Sequence, residues 1–169
     1  FNTTTSIFQA SPPGPNLLFL NLGSGTHTII YGNVLGNGFS TFLHTQLDAG
    51  TSHIIFTGAN ISLSFHDEIE FHNLSFTATN GTVSMNIYQE GSGLKANKLF
   101  FASNLTIDIT SSMPKLIELD TLIFSSGKTY SFDPDAVYKV NKQFQAIGNN
   151  CNAINFTSSV IDKNVNLTM

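Results

Sequence analysis

A short apolar phrase recurs along this chain at a nearly constant interval. Its core is Leu-x-Phe, which occurs at Leu74-Ser75-Phe76, Leu99-Phe100-Phe101 and Leu122-Ile123-Phe124, in steps of 25 and 23 residues. Ile54-Ile55-Phe56 stands 20 residues before the first copy, and Leu17-Leu18-Phe19 is a weaker copy further upstream. Self-similarity at such a period, in segments rich in β-branched and aromatic residues, is typical of stacked repeats. We therefore expect an all-β fold, a parallel β-helix (β-solenoid) with coils of about 20–25 residues.

The segments between these phrases also have the pattern of strands. Residues 61–65, 83–87 and 105–109 alternate apolar with polar side chains, as a half-buried strand does. Gly, Asn and Ser bound each segment, and these residues favour sharp turns. Residues 135–144 fit a helix or a strand, and their Tyr and Val content favours a strand.

Stacked coils predict where the aromatic side chains lie. Equivalent residues of successive coils are about 4.8 Å apart, so they form ladders inside the stack. The expected ladders are Phe56, Phe76, Phe101 and Phe124, with Ile54, Leu74, Leu99 and Leu122 beside them. The alternative is an antiparallel β-sandwich in which the spacing is coincidental.

The domain organisation follows from the same period. We expect an extended segment over residues 1–15, which is rich in Pro near its end, and the solenoid over residues 16–169. The period is least regular between Ser11 and Thr51, where we expect an irregular coil or an inserted loop. The chain begins without Met or a signal peptide, so we expect it to be a fragment of a longer protein.

Composition excludes several classes of function. Charged residues make up 11% of the chain, all seven basic residues are Lys, and the net charge is -4. Without a basic cluster, the chain lacks the phosphate-neutralising charge that nucleic-acid binding needs, so we expect no nucleic-acid partner. No apolar run reaches the length of a membrane helix, so we expect no membrane span.

Side-chain chemistry offers few further signals. Seven Asn-x-Ser/Thr sequons occur, but a chain this rich in Asn, Ser and Thr generates many by chance. Cys151 is the only cysteine and has no histidine neighbour in sequence, so a small buried or corner residue is favoured over a nucleophile.

Several segments resemble a known group of proteins. The residues that carry the resemblance are the Leu-x-Phe phrases, Gly23-Ser24-Gly25-Thr26-His27-Thr28-Ile29, Ser126-Gly127-Lys128-Thr129-Tyr130-Ser131-Phe132, Gln145-Ala146-x-Gly148-x-x-Cys151 and Ile154-Asn155-Phe156-Thr157-Ser158-Ser159. They resemble the repetitive β-helical region of large surface proteins of Bacteroidota, which are exported by the type IX secretion system and include gliding-motility adhesins. The resemblance implies a secreted or cell-surface location and a role as adhesin or stalk, and it brings no catalytic residue or cofactor.

Two clusters are candidates for chemistry. If His66-Asp67-Glu68-Ile69-Glu70-Phe71-His72 is a strand, then His66, Glu68, Glu70 and His72 share one face and are weak candidate metal ligands. Asp133 and Asp135 flank Pro134 and could act as the acid and base of a glycosidase, although Asp-Pro-Asp is more often a turn.

The function predicted from the sequence is therefore non-catalytic, with no catalytic, cofactor-binding or metal residue assigned and no cofactor required. We expect a cell-surface or secreted β-solenoid that acts as adhesin or stalk. Its partners would be other parts of the same large protein, and extracellular glycans or surfaces. A carbohydrate-active enzyme or a glycan-binding module on a β-helix is the alternative.

Overall fold

In the computed structural model the chain folds into stacked β-strands. The structure describes residues 3–5, 8–10, 18–30, 38–41, 45–57, 60–65, 69–77, 80–87, 93–111, 115–149 and 151–169. These residues form seventeen strands and no helix. In chain order the strands are β1 Thr3–Thr5, β2 Phe8–Ala10, β3 Leu18–Asn21, β4 Thr26–Ile30, β5 Gly38–Thr41, β6 Thr45–Asp48, β7 His53–Thr57, β8 Asn60–Phe65, β9 Ile69–Phe76, β10 Asn80–Ile87, β11 Gly93–Phe101, β12 Asn104–Ser111, β13 Lys115–Phe124, β14 Thr129–Phe132, β15 Ala136–Ala146, β16 Asn155–Ser158 and β17 Asn166–Thr168.

The strands belong to three sheets, and every pair of neighbouring strands within a sheet is parallel. The first sheet has the order β1-β4-β7-β9-β11-β13-β15-β17, the second β16-β14-β12-β10-β8-β5-β2, and the third contains β3 and β6. Each strand pairs with its equivalent in the next coil, so the chain alternates between the sheets as it advances. This is a parallel β-solenoid, as predicted, and the antiparallel sandwich is wrong. Residues 136–144 belong to strand β15, which confirms the assignment of this segment as a strand, and Asp135 lies in the turn before it.

In the long strands of the first sheet, the alternation between buried and outward side chains is interrupted near the middle of the strand. In β11, Leu94 and Ala96 are buried, Asn97 and Lys98 are both exposed, and Leu99 and Phe101 are buried again. Because side chains of a flat strand alternate between faces, two consecutive outward residues require the strand to turn a corner. The corner recurs at residues 72–73 of β9 and 120–121 of β13, and β15 carries an irregularity in register beside the latter.

Two predicted ladders form the core. Phe56, Phe76, Phe101 and Phe124 stack with ring centroids 5.1, 5.3 and 5.6 Å apart and with nearly parallel planes. The aliphatic ladder beside them is buried in the same register; its members are Ile54, Leu74, Leu99 and Leu122. The two ladders therefore set the position of each coil relative to the next.

The aromatic ladder ends at Phe124, because β15 places a small residue at the next position of that column. In β15, Phe144 stands opposite Leu122 and Ala146 stands opposite Phe124. The ring of Phe144 instead lies 5.6 Å from the ring of Phe124, and Phe156 of β16 lies 4.9 Å from it. In β15 a large residue therefore occupies the aliphatic column and a small residue occupies the aromatic column.

At the other end, the weaker upstream phrase at residues 17–19 does not continue the ladder. Ile29 of β4, and not Phe19, pairs with Phe56, while Phe19 of β3 pairs with Gln46 in the third sheet. The weak copy at residues 17–19 is therefore not equivalent to the later ones. Strands β1 and β2 fall within the predicted extended segment 1–15 and pair with β4 and β5, but much of that segment, and of the irregular stretch 11–51, lies outside the described residues.

Two matched turns connect β3 to β4 and β6 to β7. The Asn21 side chain accepts from Gly23 N at 2.8 Å, and the Asp48 side chain accepts from Gly50 N at 2.9 Å. Asn21 Nδ2 also donates to Asp48 Oδ2 at 2.8 Å, which joins the two turns. Both glycines have positive φ, 67° at Gly23 and 55° at Gly50, a conformation that glycine adopts without strain.

Substitution of these glycines is expected to have unequal effects. A Cβ at Gly50 would collide with the Gly23 carbonyl group, whereas a Cβ at Gly23 would meet nothing within 4 Å. Gly23→Ala should cost only the left-handed backbone strain, about 1–2 kcal/mol. Gly50→Ala should cost at least about 1 kcal/mol more because it adds a steric overlap with backbone. Urea unfolding of the two variants checks this, and equal losses would contradict it.

Candidate functional site

A polar groove crosses the corners of successive coils on the outside of the first sheet. It consists of two shallow cavities of about 200 and 230 Å³, which share Glu70 and Asn97 in their linings and therefore adjoin each other. The turn at Asp48–Gly50, β9, β11, β13 and β15 each contribute side chains. The groove runs along the axis of the solenoid, because each contributing segment belongs to a different coil. We call it the axial groove.

A column of alternating charge lies along the axial groove. Lys95 stands in register between Glu70 and Glu118, and Glu118 stands in register with Lys139. Opposite charges directly across neighbouring strands attract, so this order favours the observed register. Lys139 Nζ lies 2.6 Å from Glu118 Oε1, and the hydrogen bond from Lys139, followed by that from Asn141, holds the pKa of Glu118 below its usual value.

The corner side chains also contact one another between coils. Asn97 Nδ2 donates to His72 Nδ1 at 2.7 Å, and Asn141 Nδ2 donates to Glu118 Oε1 at 3.2 Å. Lys142 Nζ lies 2.6 Å from Asp120 Oδ2. These contacts fix carboxylate and amide groups at regular positions along the axial groove.

The predicted metal ligands are only partly brought together. Glu70 and His72 both lie in the axial groove with Phe71 buried between them, which confirms the predicted alternation. His66 and Glu68 lie outside the described residues. Within the part of the chain that the structure describes, no three His, Cys, Asp or Glu side chains are grouped as a metal site would require.

Asp133 and Asp135 have different environments. The sequence Asp133-Pro134-Asp135 forms a turn, as predicted, in which Asp135 N donates to Asp133 Oδ1 at 2.8 Å. Asp133 is buried, and its Oδ2 accepts from Lys115 Nζ and from Ile109 N, each at 3.0 Å. Asp135 is exposed, and its Oδ1 lies 3.1 Å from Lys163 Nζ. Each carboxylate is therefore held by a lysine that is distant in sequence, 18 residues away for Asp133 and 28 residues away for Asp135.

The contacts of Asp133 also determine its ionisation. Burial, the largest single influence, raises the pKa of Asp133, whereas the hydrogen bonds from Lys115, Asp135 N and Ile109 N lower it. Together the hydrogen bonds outweigh the effect of burial, so the pKa of Asp133 lies below its usual value. A general acid requires a raised pKa, so this carboxyl group is poorly suited to that role.

A histidine and a serine form a second polar pair on the first sheet. His53 Nε2 and Ser75 Oγ are joined by a hydrogen bond of 2.7 Å. Burial and, secondarily, the charge of Lys98 lower the pKa of His53, so its imidazole is neutral at pH 7. Because Ser75 is only 6% exposed, the pair serves as a contact between β7 and β9.

Cys151 lies at a corner, as predicted, and is exposed instead of buried. Its backbone N and that of Asn152 both donate to Asn149 Oδ1, which closes a tight turn. Residues 126–128 also form a turn, in which Gly127 has a φ of 69°.

The interior is accessible at the last described coil. A cavity of about 340 Å³ is lined by apolar side chains of β14 to β17, including Phe144, Phe156 and Leu167. Phe156 and Leu167 are 45% and 40% exposed. β16 and β17 are the outermost strands of their sheets at this end.

The fold defines this protein as a member of the parallel β-solenoid class. No family model matches the chain, and neither the curated proteins nor the solved structures give a significant match. Among the described residues, no helix has the length and apolar character needed to cross a membrane.

Proposed function

We propose that the chain is a non-catalytic β-solenoid that acts as stalk or adhesin in an exported surface protein. The observation that carries this proposal is the state of Asp133 and Asp135, the best candidates for an acid-base pair. Asp133 is buried in an ion pair with Lys115, and Asp135 is paired with Lys163. Glycoside cleavage needs one protonated and one ionised carboxyl group facing a shared substrate, and these contacts oppose that arrangement.

The continuous core supports a mechanical role. Among the described residues from β7 to β15, the interior is filled by ladders of buried apolar side chains that form one continuous cluster. Stacked coils of this kind transmit force through many parallel hydrogen bonds and present long, regular side surfaces. Location at the cell surface or outside the cell, and export by the type IX route, are supported by the resemblance of residues 121–159 to surface proteins of Bacteroidota. The partners would then be other parts of the same large protein.

A glycan-binding module is the second candidate function, and the axial groove favours it. The groove places carboxylate and amide groups from five consecutive segments on one outer surface. Glycan recognition without turnover would make the solenoid an adhesin instead of a passive stalk.

A turnover assay separates the non-catalytic function from an enzymatic one. The purified chain is incubated with neutral and acidic polysaccharides, with and without Ca²⁺ or Zn²⁺, and reducing ends are measured. We expect no release above background. Turnover that is lost in Asp135→Asn, an exposed position, and kept in the matched variant Asp162→Asn would overturn the proposal in favour of an enzyme.

A further inference from the structure

The axial groove has the chemistry of a site for hydroxyl groups. Its polar lining is formed mainly by carboxylates and carboxamides, namely Asp48, Glu70, Asn97, Glu118, Asp120 and Asn141, together with His72 and Lys95. Carboxylates accept hydrogen bonds, and carboxamides both donate and accept them. A pair of neighbouring sugar hydroxyls presents the complementary donors and acceptors.

The floor of the axial groove excludes recognition by stacking. Ala49, Gly50 and Ala96 line it, so the backbone is close to the surface. Phe71 also lines it but is only 1% exposed and cannot offer its face to a ligand. A ligand would therefore be bound mainly through hydrogen bonds, in contrast to sites built on aromatic platforms.

The charge of the axial groove indicates a ligand without net charge. Lysines neutralise two of the four carboxylates by direct contact: Lys139 pairs with Glu118 and Lys142 with Asp120, both at 2.6 Å. The set carries four negative and three positive side chains: Asp48, Glu70, Glu118 and Asp120 against Lys95, Lys139 and Lys142. The remaining single negative charge disfavours a polyanion slightly and offers no strong attraction to a cation.

The spacing of the axial groove indicates an extended ligand. Equivalent positions of successive coils are about 4.8 Å apart, and each contributing coil places a carboxylate or a carboxamide on the groove. This interval is close to the advance per sugar along an extended β-linked glycan. Successive sugars would therefore meet successive rows of carboxylate and amide groups.

From these observations we infer that the axial groove binds an uncharged, extended β-linked oligosaccharide along the solenoid axis, with about one sugar per coil. The inference deepens the adhesive form of the proposed function. It does not depend on the stalk role, which requires no ligand.

Calorimetric titration of the full chain tests the site with named probes. The probes are cellohexaose, mannohexaose and chitohexaose as neutral β-linked chains, maltohexaose as an α-linked chain, and an alginate hexamer as a polyanion. We expect at least one neutral β-linked hexamer to bind and maltohexaose and alginate to bind at least tenfold more weakly. Asn97→Ala and Glu70→Gln should each weaken binding about tenfold, a loss of about 1.4 kcal/mol.

The matched control is Thr106→Ala, which removes an outward hydroxyl from β12 on the second sheet. It should leave the affinity unchanged, and circular dichroism should show that all three variants keep the parent fold. Absence of binding to every β-linked probe at millimolar concentration would overturn the inference, as would equal binding of alginate or maltohexaose, or binding that both groove variants leave intact. The inference fails if the parent chain binds none of the β-linked probes, whereas the non-catalytic function fails if a probe is cleaved, so the two outcomes are distinguishable.

Discussion

Replacement of Phe101 by alanine is expected to lower the free energy of unfolding by about 3–5 kcal/mol. Phe101 is fully buried, and its ring stacks on Phe76 at 5.3 Å and on Phe124 at 5.6 Å. Truncation would remove the contacts on both sides of the ring and leave a cavity in the middle of the ladder. Urea unfolding followed by circular dichroism measures the loss.

Phe100 provides a control of the same residue type in the adjacent position. It faces outward from β11 and is partly exposed, so Phe100→Ala should cost markedly less than Phe101→Ala. Equal losses for the two variants would contradict the register described for the first sheet.

Replacement of Asp133 by alanine is expected to destabilise the protein by a similar amount, about 3–5 kcal/mol at pH 7. The substitution would leave the Lys115 ammonium, whose side chain is only 12% exposed, without its counterion and would leave Ile109 N without its acceptor. Asp135→Ala is the matched control two residues away. Its ion pair with Lys163 is largely exposed, so its loss should cost less than about 1 kcal/mol.

The contribution of Asp133 to the free energy of unfolding should depend on pH in a defined direction. Because the pKa of Asp133 is lowered on folding, its ionised form stabilises the folded state above the unfolded pKa of about 3.9. This contribution is lost as the pH falls through the folded pKa. The difference in stability between the parent and Asp133→Ala should therefore shrink in strong acid, and a difference that is unchanged by acid would show that the ion pair is not its source.

The sequence predicted the fold through the regularity of its ladders. Leu-x-Phe recurs because one aliphatic and one aromatic column fill the same part of each coil, and a period shared by Leu74, Leu99 and Leu122 has no other simple cause. The phrase did not reveal the ladder positions of two further coils. In the coil of β4, Ile29 occupies the aromatic column, and in β15 Phe144 occupies the aliphatic column and Ala146 the aromatic column, so neither coil carries the phrase.

Four of the seven sequons share a structural position that composition did not reveal. Asn60, Asn80, Asn104 and Asn155 each begin a strand of the second sheet. Asn104 Oδ1 accepts from Thr129 N at 2.8 Å and so connects one coil to the next. An asparagine at the start of the strand, followed by an apolar or glycine residue and then by Ser or Thr, produces the sequon pattern repeatedly.

The axial groove was largely missed because its residues are distant in sequence. Glu70 and His72 were predicted to share one face. The sequence did not predict the other carboxylates and carboxamides of the groove, which are Asp48, Asn97, Glu118, Asp120 and Asn141. One signal was present: two consecutive polar residues precede each copy of the phrase, at His72-Asn73, Asn97-Lys98 and Asp120-Thr121. A strand that interrupts its alternation in every repeat turns a corner there, and stacking places all such corners on one line.

The alternating column of Glu70, Lys95, Glu118 and Lys139 constrains how this solenoid could change in length by gene duplication or deletion. Removal of one coil, for example the one that contains β11 and β12, would place Glu70 directly beside Glu118, and duplication of that coil would place two copies of Lys95 side by side. Like charges in these positions destabilise a sheet. Gain or loss of coils in pairs would keep the alternation, so the charged column favours an evolutionary unit of two coils.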